Sequence, residues 1–407
     1  MLLREHLSGD GCFSFVLDSY TSNGCINWHY NIKLPFDIIC ELRYTYVVGG
    51  EYIMQELFDR YDKILSGELK KIDIPGNKEF KTYSITNFRG GIGKTTLSFN
   101  LAYAMCQKYM TLFLDMCPQQ NFTSLLLNST KPYEGNTIYD ALMEKMMGAA
   151  WQMEEKKLSL RVQDYNAEFR NEGETCYFIP GSSRLFLFPS QFYSRLNEYL
   201  GMTSSGNGEK PVSILLKMLK TIILEQLNET KAEKVLIDTS PFFAGGTHLA
   251  WAASDALIIP VRVDEQSIYS LELTLEMLWN PQSDFNIWRT RAGIEERPSV
   301  QAIIMTHCGW NRQADHQIDS ASRMYIERAV DIALKYKEVF TTENVVDHFA
   351  LLSDFHSSGR ISGSKAIPIE NLAEGRQYRI EGRKVEVNRS VSRYKKELQY
   401  AFNLINC

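Results

Sequence analysis

The run Asn87-Phe88-Arg89-Gly90-Gly91-Ile92-Gly93-Lys94-Thr95-Thr96 decides how the rest of this chain is read. It follows a short strand-like run, Tyr83-Ser84-Ile85-Thr86, and opens a helical one, Leu97 to Tyr109. Its three glycines let the backbone curl with N–H groups pointing inward. Such a nest at a helix N-terminus is an anion site. Lys94 is placed to reach the β- and γ-phosphates of a nucleotide, and the Thr95 hydroxyl to ligate Mg²⁺. The expected nucleotide contacts are therefore Gly90, Gly91, Ile92, Gly93, Lys94, Thr95 and Thr96. A plain glycine-rich turn before a helix is the competing reading. Lys-Thr directly after Gly-x-Gly speaks against it.

Composition sets the frame around that run. The chain has 407 residues, 44% hydrophobic and 23% charged, with net charge −5. That suits one large or two moderate globular domains. No global positive field advertises nucleic-acid binding, so any such site must be a local patch. The eight cysteines (Cys12, Cys25, Cys40, Cys106, Cys117, Cys176, Cys308, Cys407) include no Cys-x-x-Cys pair. With no secretory signal at the N-terminus, they read as free thiols in a reducing cytosol, and the protein as cytoplasmic. No run of about 18 apolar residues is present, so no membrane span is expected. The seven histidines are dispersed, and no His-x-x-x-His pair or Ser-His-Asp constellation suggests a metal site or a hydrolase.

Taken in order, residues 1–80 form an N-terminal appendage. Alternating aromatic and polar residues from Cys12 to Tyr46 predict short strands. Glu51 to Leu65 reads as a helix with Met54, Leu57, Phe58, Tyr61 and Leu65 on one face. Trp28, His29 and Tyr30 serve either burial or a partner. From residue 81 strand and helix signals alternate. Short apolar runs end at Asp115, Pro180, Asp238, Pro260 and Thr306. Interleaved with helices such as Val212 to Leu227, they predict an α/β fold: a three-layer, doubly wound, mostly parallel sheet. Ligands in that architecture sit at the carboxyl ends of the strands. Residues 128–175 read as a helical insertion, and Thr203 to Gly208 as a flexible loop.

The strict P-loop pattern has Gly where Phe88 stands. The run resembles instead the deviant P-loop of the ParA/Soj/MinD ATPases, Lys-Gly-Gly-x-Gly-Lys-Thr, with Arg89 at the signature lysine. In that family this cation crosses a dimer interface to the nucleotide of the second subunit, and arginine keeps the charge in a phosphate-matching fork. Asp115-Met116-Cys117-Pro118-Gln119-Gln120-Asn121-Phe122-Thr123 resembles the ParA motif Asp-x-Asp-Pro-Gln-Gly-Asn-x-Thr, with Cys117 replacing the second Asp. The family's Asp positions the attacking water. A thiol with a pKa near ~8.5 is a poor substitute. The resemblance thus implies intact binding with slow turnover, unless Gln119 or Gln120 orients the water as a glutamine does in some GTPases. Val235-Leu236-Ile237-Asp238-Thr239-Ser240-Pro241 resembles the family's Walker B, with Asp238 holding Mg²⁺ through a water and Asp115 in the same water shell. Ile179-Pro180-Gly181-Ser182, Ser254 to Val261 and Ile367-Pro368 to Glu374 extend the likeness over 81–407. It makes Thr306 and Pro368 the candidates for the adenine. Trp310 either stacks on a base or packs.

The last 53 residues differ in charge. Ten Arg and Lys, from Arg360 to Lys396, face five Glu and no Asp. The family binds DNA without sequence preference, through phosphate contacts that are salt-sensitive. A solvated helix face explains the same charges. Val391, Tyr394, Leu398, Phe402 and Ile405 make an apolar stripe on the last helix, for the sheet or, as in the MinD branch, for a membrane surface. The resemblance implies ATP and Mg²⁺ as cofactors and a nucleotide-sandwich homodimer with Arg89 acting in trans. It implies ATPase work in DNA partition or positioning on a DNA surface. The alternative is a nucleotide-gated, nearly hydrolysis-inactive switch that docks an unknown protein partner, in a mobile-element or defence system.

Overall fold

The computed structural model describes residues 54–68, 78–151, 153, 156–170, 173–200, 210–310 and 318–405, with the backbone alone for 2–7, 13–21, 24–28 and 149. The chain divides into two units, Met1–Arg60 and Tyr61–Cys407. In the first, β1 (Leu2–Leu7), β2 (Phe13–Thr21) and β3 (Gly24–Trp28) form an antiparallel sheet in that order. Trp28 closes β3. Its side chain, His29, Tyr30 and the Thr203–Gly208 loop lie outside the described residues. Helix α1 covers 54–66, and its residues from Tyr61 on belong to the second unit.

In the second unit the chain runs through β4 (Thr82–Ile85), α2 (Lys94–Cys106), β5 (Thr111–Asp115) and α3 (Asn121–Leu126). Next come α4 (Ile138–Met147), β6 (Leu160–Arg161), α5 (Val162–Tyr165), β7 (Cys176–Ile179) and α6 (Phe188–Leu200). They are followed by α7 (Pro211–Leu216), α8 (Met218–Thr230), β8 (Lys234–Asp238), α9 (Gly245–Ala253), β9 (Ala256–Arg262) and α10 (Glu265–Trp279). Then follow α11 (Asp284–Ala292), β10 (Ser299–Cys308), α12 (Ser320–Lys335), β11 (Phe349–Ser353) and α13 (His356–Lys365). A hairpin of β12 (Gln377–Ile380) and β13 (Arg383–Glu386) precedes α14 (Val391–Ile405).

Eight strands form one sheet in the order β11-β10-β9-β4-β8-β5-β7-β6, parallel except for the edge pair β6–β7. The chain leaves β4 toward β5, β7 and β6, returns through β8, and then builds the other half through β9, β10 and β11. The period-two pleat sorts each central strand between two cores. Leu112 and Leu114 of β5, with Val235 and Ile237 of β8, point to one core; Phe113 and Leu236 point to the other. The first core takes α4, α6, α8 and α9, and the second takes α2 and α14. Burial on both faces is why these strands read as unbroken apolar runs. The predicted three-layer, doubly wound, mostly parallel sheet is the observed fold.

Several expectations about particular segments can now be compared with the structure. Within 128–175, α4 is held by a capping box between Thr137 and Asp140, and the same segment supplies the edge strand β6 as well as helix. The stripe Val391, Tyr394, Leu398, Phe402 and Ile405 is buried in the α2 core. Each such side chain contributes about 1.5–3 kcal/mol by leaving water. That stripe therefore serves the sheet, and among the described residues no helix is long and apolar enough to cross a membrane. Trp310 packs: it stacks on Tyr61 at 5.4 Å and lies under the Arg393 guanidinium. The reading of every cysteine as a free thiol needs correction. Cys106, ending α2, and Cys176, opening β7, form a disulfide with Cα atoms 6.0 Å apart, because the helix end and the strand start converge in one core. Cys117 and Cys308 are free and buried.

Candidate functional site: a nucleotide cleft at the carboxyl end of the sheet

β4 delivers the chain to the glycine-rich loop at the centre of the sheet's carboxyl edge. Gly91 (φ 72°) and Gly93 (φ 90°) take the left-handed backbone that lets the loop curl, and Gly93 is the residue on which α2 begins. The loop is tied down on all sides. Asn87 donates to the Pro260 carbonyl at 2.8 Å and accepts from the Arg89 amide and the Ser270 hydroxyl. Thr306 donates to the Ile92 carbonyl at 3.0 Å. Phe88, where a strict P-loop has glycine, stacks on Trp251 at 5.7 Å and meets Phe243 edge-on. The Trp251 indole donates to Thr86. The aromatic thus anchors the loop from outside, where a side chain costs the curl nothing.

Lys94 is buried, and its ammonium donates to the Asn87 carbonyl at 3.1 Å and to the Arg89 carbonyl. Burial pulls its pKa down to about 8, against the opposing pull of Asp238 and Cys117. Asp238 accepts from Thr95 Oγ1 at 3.0 Å and from Ser98 Oγ at 2.7 Å. The parallel register sets Asp115 directly beside Asp238. Asp115 accepts from the Cys117 amide (3.0 Å) and from the Thr123 amide and hydroxyl (both 2.8 Å), which closes the β5–α3 turn. Gly181 carries no side chain here for a plain reason: a Cβ would stand 2.9 Å from the Asp115 carbonyl oxygen. Burial raises both carboxyl pKa values, and Asp115 raises that of Asp238 further. Two adjacent buried acids with a threonine hydroxyl are a donor set of hard oxygens, fitting Mg²⁺. The left-handed glycine loop, Lys94 and this set together fit a Mg²⁺·triphosphate.

The Cys117 thiol is buried next to Asp115, Asp238 and Lys94, and burial with the Asp115 charge pushes its pKa up to about 12. It is a neutral thiol at the spot where the ParA motif has a carboxylate. Gln119 is exposed in the turn, and Gln120, at φ 57°, begins α3. Arg89 pairs with Asp264, the residue capping α10, and donates to Ser267 Oγ at 2.9 Å.

Beside the loop a cleft of about 450 Å³ opens toward the ends of β10 and β11. Gly91, Gly93, Thr96, Thr306 and His307 line it on the loop side. Ser353, Asp354, Phe355, His356 and Arg360 close the far side. Its size suits a ligand the size of a nucleoside. Thr306, one of the two adenine candidates, lines this cleft. Pro368 is buried at the turn before Ile369, whose amide donates to Asn100 of α2, and does not line the cleft. Ser353 to His356 escaped the sequence reading, and Arg360 was read only as part of the basic tail. The signal was present in Phe349-Ala350-Leu351-Leu352, one more apolar run ending in polar residues.

A family model described as "AAA domain" (AAA_31) matches residues 80–287. The chain belongs to this family of ParA/MinD-like P-loop ATPases. It is 27% identical over 199 residues to the maintenance of carboxysome distribution protein A of Gloeothece citriformis, covering 49% of this chain and 63% of that protein. It is 26% identical over 194 residues to an uncharacterized protein of Methanocaldococcus jannaschii, covering 47% and 63%. The chain therefore spans less than two thirds of the length of these relatives. Among solved structures, the ATP complex of a Cyanothece McdA variant superposes with a TM-score of 0.52 at 16% identity, over 80% of this chain and 96% of that one. That likeness is one of fold.

Proposed function

We propose that this chain binds Mg²⁺·ATP as a ParA-like ATPase, associates as a nucleotide-sandwich homodimer, and turns over slowly. The observation that carries the reading is the convergence of the Gly91–Gly93 curl, Lys94 and the Thr95–Asp238 pair at one strand edge. Gly90 to Thr96 and Lys94 would hold the phosphates, and Thr95, Asp238 and Asp115 the metal, directly or through water. The metal, when bound, would neutralise charge developing on the phosphoryl oxygens. Thr306 lines the cleft proposed for the base; Pro368, away from it, keeps only a packing role. Arg89 is the proposed trans-acting cation.

Slow turnover follows from Cys117. A thiol titrating near 12 takes no proton from water at neutral pH, so hydrolysis depends on a water oriented by Gln119 or Gln120. This favours the second reading, a nucleotide-gated switch whose output is a docked protein partner, with residues 1–80 as the appendage that meets it. The carboxysome-distribution relative makes positioning of a cargo the nearest parallel. For non-specific DNA, the support is the β12–β13 hairpin, where Arg379, Arg383 and Lys384, with Arg376 just before it, are exposed against Glu381 and Glu386. Lys396 and Arg393 are committed inside, to the Leu65 carbonyl and to Trp310. A cytoplasmic location belongs to the same proposal.

The deciding experiment is calorimetry with Mg²⁺·ATP, followed by phosphate release and sedimentation with and without DNA. Tight binding, nucleotide-dependent dimers and little phosphate release are expected. Absence of ATP affinity sinks the reading; rapid DNA-stimulated turnover removes the switch.

A further inference from the structure

On the loop side of the cleft stands a side chain that neither the glycine loop nor the acid pair accounts for. His307 sits near the end of β10, where the pairing with β11 shifts register between Met305 and Cys308. An irregularity of this kind re-aims a side chain. His307 itself takes the left-handed backbone, at φ 61°, which is uncommon for any residue but glycine. Its ring comes to lie against the nucleotide loop: Cε1 is 4.0 Å from where a Cβ on Gly93 would stand. It lines the cleft together with Gly91, Gly93 and Thr96.

The hydrogen bonds decide which ring nitrogen is free. The Thr306 hydroxyl has one hydrogen, and it goes to the Ile92 carbonyl at 3.0 Å. The same oxygen lies 3.2 Å from His307 Nδ1. It can only accept there, so Nδ1 carries a hydrogen. In the neutral ring Nε2 is then a bare lone pair. Nε2 has no hydrogen-bond partner among the described residues and is reached by solvent. Cε1 is bonded to both nitrogens, so Nε2 stands beside the Gly93 curl. A lone pair at that place repels a phosphate oxygen, whereas a protonated Nε2 donates to it with its charge. We propose that His307 is a proton-dependent contact to the nucleotide's phosphates: binding of Mg²⁺·ATP draws a proton onto Nε2, and affinity rises as the ring charges. This rests on the reading of the cleft as a nucleotide site.

The surroundings favour the neutral ring until an anion arrives. Burial lowers the His307 pKa; Asp354, just after β11, opposes this, and Arg262 of β9 and His356 of α13 add to it. Arg360 of α13 lines the same cleft. Cys308, next along β10, stays neutral, its thiol pushed well up by burial. The loop residues beside the ring, Gly91, Gly93 and Thr96, carry no charge. A triphosphate adds several negative charges to this balance, and a negative neighbour raises a histidine's pKa. The sign follows from linkage. The ligand prefers the charged ring, so affinity gains as pH falls toward the free ring's pKa, and binding takes up protons above it.

Calorimetry with Mg²⁺·ATP at about pH 8 and about pH 5.5 compares the wild type with His307→Asn. Asparagine tolerates the left-handed backbone and cannot take a charge. Dividing one affinity by the other isolates His307, because both proteins share Asp115, Asp238 and the titrating phosphates. The ratio of wild-type to variant affinity should grow by about 3- to 10-fold from the higher pH to the lower. His307→Gln, a second neutral variant, should behave alike and guards against a folding defect in the first. Nitrogen-15 NMR of the histidine rings reads the proton itself. The resonance missing from either variant is that of His307, and saturating Mg²⁺·ATP should raise its titration midpoint in the wild type by about 0.5 to 1 pH unit. A flat ratio, or a His307 midpoint that ATP leaves unmoved, overturns the proposal while ATP binding stands. A wild type that binds no ATP at either pH overturns the assignment of the cleft, and this inference with it.

Discussion

The two ends of the cleft are built on different principles. The end proposed for phosphate is a glycine-rich loop, one lysine and two acids that neighbouring strands deliver to adjacent register positions. The end proposed for the base is side chains from β10, β11 and α13, held from behind by α14 and by Tyr61 of α1. A charge-rich triphosphate is the same whatever base it carries, so its cradle tolerates little variation. A base is recognised by a few neutral contacts, which different side chains can supply. Specificity can thus change at one end while the chemistry at the other stands still.

The sharpest way to break that division is at Lys94. Lys94→Ala should abolish ATP binding, a loss of about 100-fold or more, since a buried charge-assisted contact to phosphate has no substitute. Retained affinity in calorimetry would mean the base end does the holding. Cys117→Asp comes next. It should raise phosphate release by about 10- to 100-fold by supplying the missing acceptor. It should also lower stability without Mg²⁺, because a third carboxylate joins Asp115 and Asp238 in a buried site. An unchanged rate would show that Gln119 or Gln120 already orients the water. Arg379→Glu with Arg383→Glu, both on the exposed hairpin, should weaken DNA binding about tenfold and flatten its salt dependence, leaving ATP affinity alone. A filter-binding titration over salt concentration checks it.

The smallest expected effect concerns stability. Glu397 has a folded pKa raised to about 7, above the ordinary carboxylate value near ~4.3. The folded form therefore binds the proton more tightly than the unfolded one. The stability this contributes is fully present below the unfolded pKa and is lost as pH rises through about 7. Urea midpoints should fall between pH ~5 and pH ~8, and the fall should shrink in Glu397→Gln. Parallel curves for the two proteins would show that Glu397 is ionised throughout.

The same contrast explains what could be read from residues alone. The loop and its two acids were legible because each part is local: the loop lies within ten residues, and Asp115 and Asp238 each end an apolar run. The parallel sheet was legible because burial on both faces leaves unbroken runs such as Val235-Leu236-Ile237. The far side of the cleft was not, Thr306 apart, because Ser353 to His356 reach it only through the fold, with no spacing rule to join them to the loop. Ile367-Pro368 drew attention by a familiar dipeptide, while Ser353-Asp354 at the end of β11 offered none. The Cys106–Cys176 pair escaped for a like reason: 70 residues separate the two, and only the shared core brings them together.

Arg89 already has an anion of its own. Any phosphate that reaches it from a second molecule competes first with the Asp264 carboxylate, on the very side chain that starts α10. Released, that carboxylate keeps its bond from the Ser267 amide and its neighbour Arg262 at 3.5 Å, so the swap leaves no stranded charge. Assembly of two copies would then be an exchange of partners, one that dissolved salt can loosen from either direction.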